Sequence, residues 1–250
     1  MTDNLKLSMD QESHYDRVTQ SFSNGNPIWP ENDVWHMYTR KKIEAFLFKH
    51  HYAVEDAKNI INAGSSGESY GFDESNMLHI DLAKERIENK PKYLVANLEQ
   101  LPIEEAFAEC IICVGSVLNY TDPLRVIKEL HRVNKQDGYL FIEFECSNTL
   151  ELVFTRKFNQ SATIVKTFYR GNEEIIWYFS ERWIKSILFS FGYEVISEDR
   201  WHIFSPLIYR ITQNSSFSSK FIFLDRLLNR LPFTRQCSSN IFLLCRKTNQ

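Results

Sequence analysis

Five short apolar runs, each closing on a polar or glycine-containing break, constrain what this chain can fold into. They are KNIINAG (58–64), MLHID (77–81), KYLVAN (92–97), AECIICVGSVL (108–118) and YLFIEFEC (139–146). Short runs rich in Ile, Leu, Val and Phe and bounded by turn formers read as buried strands. Helical patterns lie between them. LAKERIENK follows the second run. TDPLRVIKELHRVNKQDG has Thr121 or Asp122 as a cap and Pro123 in its first turn. Leu124, Ile127, Leu130 and His131 recur at helical spacing, and Asp137-Gly138 is its expected stop. Strands alternating with helices make a parallel sheet covered on both faces.

The flanks extend this plan. Residues 10–24 and 31–50 read as helices separated by Pro27 and Pro30, with His50-His51 as a solvated pair at the second helix's end. Beyond the fifth strand, residues 161–180 read as a hairpin around Gly171-Asn172. SERWIKSILFSFG is a helix capped by Ser180 and stopped at Gly192. YEVISEDRWHIF and NIFLLCRK supply a sixth and a seventh strand.

A chain of 250 residues with 43% hydrophobic content is enough for one large domain. No apolar run reaches the ~18 residues of a membrane span. The opening MTDNLKLSMDQESHYD lacks the apolar core of a signal peptide, so a cytoplasmic location is expected. Cys110 and Cys113 form a CxxC, but an extended chain points i and i+3 to opposite faces. They read as buried thiols, and no metal site is expected. The net charge of −3 argues against a nucleic-acid binder, although residues 200–250 carry eight Lys/Arg and one acid. Within that basic segment, 217–235 reads as one helix. Phe217, Phe221, Leu224, Leu228 and Leu231 fall on one face, and Lys220, Arg226, Arg230 and Arg235 add charge. Such a face serves packing, or peripheral contact with an anionic membrane that presents a lipid-linked acceptor.

In sheets of this kind ligands bind outside the carboxyl ends of the strands. The residues to watch are therefore Gly64–Gly67, Asp81, Asn97, Gly115–Tyr120 and Glu145–Ser147. A glycine turn lets the backbone approach a ligand, an acid after the second strand can accept two ribose hydroxyls, and Asn97 can meet an adenine edge. The same turn and acid also serve nicotinamide cofactors, but the three-glycine fingerprint of that class is absent.

From Asn59 to Glu145 the chain resembles the class I S-adenosylmethionine-dependent methyltransferases. It is most similar to the small-molecule branch of the type 11 kind. NLEQLP (97–102), VGSVLNY and KELHRVNKQDGYLFIEF stand in that family's order. The resemblance implies a Rossmann-like, doubly wound α/β fold of seven mostly parallel strands with an antiparallel last strand. N-terminal helices and a small hairpin and helix cap complete it. One domain over 1–250 is expected: 1–55 as N-terminal helices and lid, 56–147 as the cofactor-binding core, and 148–180 and 203–236 as insertions near the acceptor. S-adenosylmethionine is the implied cofactor. By position, Asn62, Gly64, Ser65, Ser66 and Gly67 are implied to line its methionine and ribose parts. Asp81 would hold the ribose hydroxyls, with Leu82, Asn97 and Leu98 about the adenine. Gly115 and Ser116 would lie near the sulfonium, and Tyr15 on a closing lid.

Three positions depart from the family pattern. Asn62 and Asn97 stand where acids are usual, and Ser66 stands where a second glycine is usual, which a serine tolerates at negative φ. The function implied is methyl transfer to a small-molecule, carbohydrate or lipid-linked acceptor. The alternative is a catalytically inactive binding protein on the same fold. Tyr120, Asn119 and Glu145 are the candidates for handling an acceptor proton, with Glu143 on the same strand face as Glu145.

Overall fold

The structure, a computed structural model, describes residues 14–23, 27–169 and 172–248. Its strands are β1 Ile60–Ala63, β2 Met77–Asp81, β3 Tyr93–Val95, β4 Ala108–Cys113, β5 Asn134–Glu145, β6 Ala162–Tyr169, β7 Asn172–Phe179, β8 Tyr193–Trp201 and β9 Asn240–Lys247. Seven of them form one sheet in the order β3-β2-β1-β4-β5-β9-β8, while β6 and β7 pair as a separate hairpin. The pairs from β3 to β5 are parallel, and β9 runs antiparallel to both β5 and β8. The mostly parallel sheet with an antiparallel last strand is therefore present. Its order reverses between β1 and β4, where ligand crevices form in such sheets.

The helices are α1 (14–22), α2 Val34–Lys49, α3 Tyr52–Glu55, α4 Lys84–Ile87, α5 Pro123–Val133, α6 Glu181–Ser190, α7 Ser205–Thr212, α8 Ser215–Ser219, α9 Ile222–Leu228 and α10 Pro232–Arg235. Of the helix expected over 10–24, residues 10–13 and 24 lie outside the described residues. The crossover from β1 to β2, residues 64–76, contains no helix.

The strands bury alternate residues on opposite faces. Ile61, Ile111, Cys113, Leu140 and Ile142 share one core with Val126, Ile127 and Leu130 of α5 and Ile184 and Leu188 of α6. Ile60, Cys110, Ile112, Phe141 and Phe242 share the other with Ile43, Phe46 and Leu47 of α2. This is the period of two made visible, and it sends Cys110 and Cys113 to opposite faces. Each large apolar side chain so buried contributes about 1.5–3 kcal/mol. All five cysteines are free thiols; four are buried and Cys237 is partly exposed.

Helix ends follow their caps. Asp33 accepts the His36 N–H at 3.1 Å, so α2 starts at Val34 rather than Glu31. Asp122 caps α5 by accepting from Leu124 N at 2.9 Å. That helix ends at Val133, short of the expected stop, and Asp137 takes a left-handed φ of 64° inside β5. His50 is buried, with Nε2 3.0 Å from Ser197 Oγ, so only His51 of that pair is solvated.

The single helix expected over 217–235 is instead three short ones, α8, α9 and α10. Pro232 forces Leu231 into an extended backbone (ψ 122°), which separates α9 from α10. Of the expected stripe, Phe221, Leu224 and Leu228 are half-buried while Phe217 and Leu231 are exposed, and the α9 residues turned inward are Ile222 and Asp225. Asp225 accepts from the backbone of Phe204 and Ser205 and from the Ser205 hydroxyl, tying α9 to the start of α7. No helix among the described residues is long and apolar enough to cross a membrane.

Candidate active site

The loop leaving β1 is tight. Gly64 and Ser65 both donate their N–H groups to Ile80 O, at 2.8 and 3.1 Å. Gly64 has φ 65°, and a Cβ there would lie 2.5 Å from Val117 Cγ1. Gly67 has φ 80°, and a Cβ there would lie 2.4 Å from Arg86 O. Ser66 between them also takes a positive φ, 44°, against the expectation of a negative one. Its N–H donates to Asp81 Oδ2 at 2.8 Å, a charge-assisted bond that offsets the strain.

Asp81 ends β2 and accepts from Ser66 N on one oxygen and from Ala83 N, at 2.9 Å, on the other. The Ser66 hydroxyl also donates to Oδ2, at 3.4 Å, so of the about four acceptor positions of a carboxylate one stays open toward a ligand hydroxyl. Burial raises its pKa, against the bonds from Ala83 and Ser66. Asn97, after β3, accepts Glu99 N on Oδ1 at 2.9 Å, which leaves its amide NH2 for a ligand.

The loop leaving β4 is held from beneath by Glu143. This wholly buried carboxylate accepts Gly115 N at 3.0 Å, Ser116 N at 2.7 Å and Asn240 Nδ2 at 2.8 Å. Gly115 (φ 83°) and Ser116 (φ 59°) are both left-handed, which turns their N–H groups toward it. Burial pushes Glu143 up to about 7, opposed by the Asn240 and Ser116 bonds. Glu145, two residues on, accepts the Ser116 hydroxyl at 3.0 Å. Burial raises its pKa, against hydrogen bonds from Tyr178 and Ser116. The Tyr178 hydroxyl also reaches Glu151, whose carboxyl burial pushes up to about 8.

These loops floor a cavity of about 220 Å³. Gly64, Ser65, Ser66, Asp81, Leu82, Asn97, Leu98, Gly115, Ser116, Tyr120, Glu145 and Tyr15 all line it. Four residues that the sequence nominates for the site do not: Glu143 beneath the β4 loop, and Asn62, Gly67 and Asn119 behind the cavity wall. Asn62 is buried under the first loop, donating to Glu68 O at 2.6 Å. Gly67 packs against Arg86 of α4. Asn119 is buried with its amide spent on Glu145 N, Glu145 O and Trp177 O, which ties β5 to the hairpin. Both polar atoms of its side chain are thus engaged away from any acceptor.

The rest of the wall comes from segments distant in sequence. Tyr15, Val18, Thr19 and Phe22 of α1 line it at helical spacing, and His14 Nε2 lies 3.0 Å from Tyr120 O. The Tyr15 hydroxyl bonds Glu99, and Arg86 Nε donates to Phe22 O at 2.6 Å. The hairpin adds Val165, Thr167, Glu174, Ile176 and Tyr178, with the Tyr120 hydroxyl bonded to Glu174. Tyr178 belongs to the aromatic set of this segment that the sequence offers as an acceptor pocket; Glu151 and Glu174 escape sequence reasoning because only the folded hairpin and the turn before it bring them to the strand ends. The aromatic bias of the hairpin was the one signal of its presence there.

Residues 56–142 match a family model described as a methyltransferase domain. No curated protein is similar to the chain in sequence. Among solved structures, one similar fold is the 1,6-didemethyltoxoflavin-N1-methyltransferase of Burkholderia thailandensis, with 1,6-didemethyltoxoflavin and S-adenosylhomocysteine bound. It is 13% identical, with TM-score 0.53, covering 94% of this chain and 87% of that one. A protein of Pyrococcus horikoshii OT3 is 12% identical, with TM-score 0.56 and 89% and 94% covered. A SAM-dependent methyltransferase of Methanosarcina mazei is 16% identical, with TM-score 0.51 and 81% and 98% covered. Likeness at such identities is likeness of fold.

Proposed function

We propose that this chain, whose residues 56–142 match a methyltransferase domain, is an S-adenosylmethionine-dependent methyltransferase that methylates an oxygen or nitrogen of a small-molecule acceptor. One observation carries this reading. The Glu145 carboxylate sits at the end of β5, bonded to Ser116 on the side of the glycine loops and to Tyr178 on the side of the hairpin. A proton acceptor therefore stands between the two ends of one cavity.

The residues present fit the cofactor. Gly64 leaves no room for a side chain, and the Asp81 carboxylate lines the cavity with an acceptor position open. S-adenosylmethionine supplies an electrophilic methyl on a cationic sulfur. Asp81 would hold the ribose hydroxyls, Asn97 and Leu98 the adenine, and the Gly64–Ser66 backbone the centre of the molecule. α1 covers the mouth and excludes water. The hairpin and α7, which line the cavity, would orient the acceptor toward the cofactor. Glu145, whose raised basicity suits the role, would take up the proton that the acceptor heteroatom gives up when the methyl leaves the sulfur as S-adenosylhomocysteine is released. Calorimetric titration of wild type and Asp81→Ala with S-adenosylhomocysteine tests the reading. Micromolar binding that Asp81→Ala removes supports it; no binding by the wild type sinks it.

A second reading concerns where the acceptor is met. Phe223, Leu227, Leu231 and Phe233 are exposed beside Arg226 and Arg230, and the one acid of the segment, Asp225, is buried. This composition suits contact with an anionic membrane and a lipid-linked acceptor. Sedimentation with phosphatidylserine vesicles at low salt, lost in Phe223→Ser/Leu227→Ser, is expected; free protein in the supernatant rejects it.

A further inference from the structure

Tyr70 lies in the helix-free crossover between β1 and β2, outside the glycine turn. Its backbone is left-handed (φ 53°), a conformation that aromatic residues rarely adopt. That turn sends the ring inward, into the core formed with Trp29, Met77, Ile112 and Val114. Tyr70 is only 5% exposed, yet it lines the cavity. Its hydroxyl has no hydrogen-bond partner among the described residues. A hydroxyl that makes no bond within the protein and opens onto the cavity from an otherwise buried ring is free to donate to a ligand atom there.

Its place in the cavity says which atom. Asp81 and Asn97 mark the ribose and adenine end, after β2 and β3. Tyr70 is at the β4 end: a Cβ added to Gly115 would lie 3.7 Å from its hydroxyl oxygen. Glu68, paired with Arg40 at 3.1 Å, also lines the cavity. A hydroxyl donor beside a carboxylate suits one part of the cofactor, its zwitterionic amino-acid head. We infer that Tyr70 donates a hydrogen bond to the carboxylate of that head, while Glu68 faces its ammonium. This inference rests on the cofactor reading above and adds a residue from outside the glycine turn. Tyr70 is a binding and positioning residue: by fixing the head it sets where the sulfur, and with it the methyl, lies relative to Glu145.

The test is a ligand pair that differs only in the head. Wild type and Tyr70→Phe are titrated calorimetrically with S-adenosylhomocysteine and with 5′-methylthioadenosine, which lacks the amino acid. Tyr70→Phe is expected to weaken S-adenosylhomocysteine about tenfold and to leave 5′-methylthioadenosine within about twofold. Unchanged S-adenosylhomocysteine affinity overturns the inference. So does an equal loss for both ligands, which marks a merely structural hydroxyl. A second measurement needs no variant: the decarboxylated thioether analogue should bind wild type at least ~tenfold more weakly than S-adenosylhomocysteine, and equal binding overturns the inference. If wild type binds none of the three, the cofactor reading itself falls, a result distinct from the others.

Discussion

Glu143 and Ser116 are joined by a short bond from main chain to carboxylate, 2.7 Å, deep beneath the loop that follows β4. The same oxygen accepts from Gly115, and the other from Asn240, so the carboxylate links β4, β5 and β9 at the floor of the site.

That link makes stability depend on pH. Burial holds Glu143 up to about 7, from an ordinary 4.5. The folded state then binds more protons than the unfolded state between these values, so stability falls as pH rises from about 4.5 through 7. Glu143→Gln removes the titrating group. Its melting temperature is expected to fall less than that of wild type between about pH 5 and 8. Glu151, held up to about 8, adds a slope of the same sign in both proteins. The difference between the two melting curves is therefore the readout, and parallel curves would count against the assignment.

Gly64 and Val117 form a steric pair across the cavity floor. Gly64→Ala adds a methyl where a contact of 2.5 Å awaits, on a backbone that disfavours side chains. A loss of about 2–3 kcal/mol is expected from the two effects together. Val117→Ala in the same chain relieves the clash but not the strained φ, so about half of the loss should return in urea unfolding. Full additivity of the two substitutions would show that they do not meet.

Glu145→Gln separates chemistry from binding. The methyl-transfer rate should fall at least ~100-fold, because the proton acceptor is lost. Affinity for S-adenosylhomocysteine should stay within about threefold, since Asp81 and the glycine turn are untouched. Tyr178→Phe, which frees Glu145 and Glu151 from a shared hydroxyl, should shift the pH–rate profile rather than abolish activity. A rate for Glu145→Gln equal to wild type would remove Glu145 from the proton path.

The sheet was legible because its signals are local. MLHID and NIFLLCRK became β2 and β9 without a change of boundary, since short apolar runs between turn formers have few other places to go. Asp122 and Ser180 cap α5 and α6 as the sequence indicated. The cavity floor was readable in outline for the same reason, because its polar groups stand just beyond the strand ends. The features that escaped depend on contacts distant in sequence. Asn62 occupies a site position by its place in the pattern, yet its amide is spent on Glu68 O below the loop. Asn119 faces the hairpin only because Trp177 O is there to receive it. The inward turn of Tyr70 depends on a φ that no propensity favours. The 217–235 segment misled because Pro232, at the end of its periodic stripe, holds Leu231 extended and stops the helix there.

The distribution of thiols has a practical consequence. Four of the five cysteines are buried, three in β4 and β9 and Cys146 just past β5, and Cys237 alone is partly open, between α10 and β9. Burial raises its pKa, so a maleimide should couple slowly at neutral pH and faster in mild alkali. The natural chain thus has a single attachment point, with no cysteine to remove first. A fluorophore placed there sits at the foot of the basic C-terminal helices and would signal, by colour or polarisation, whatever docks on them.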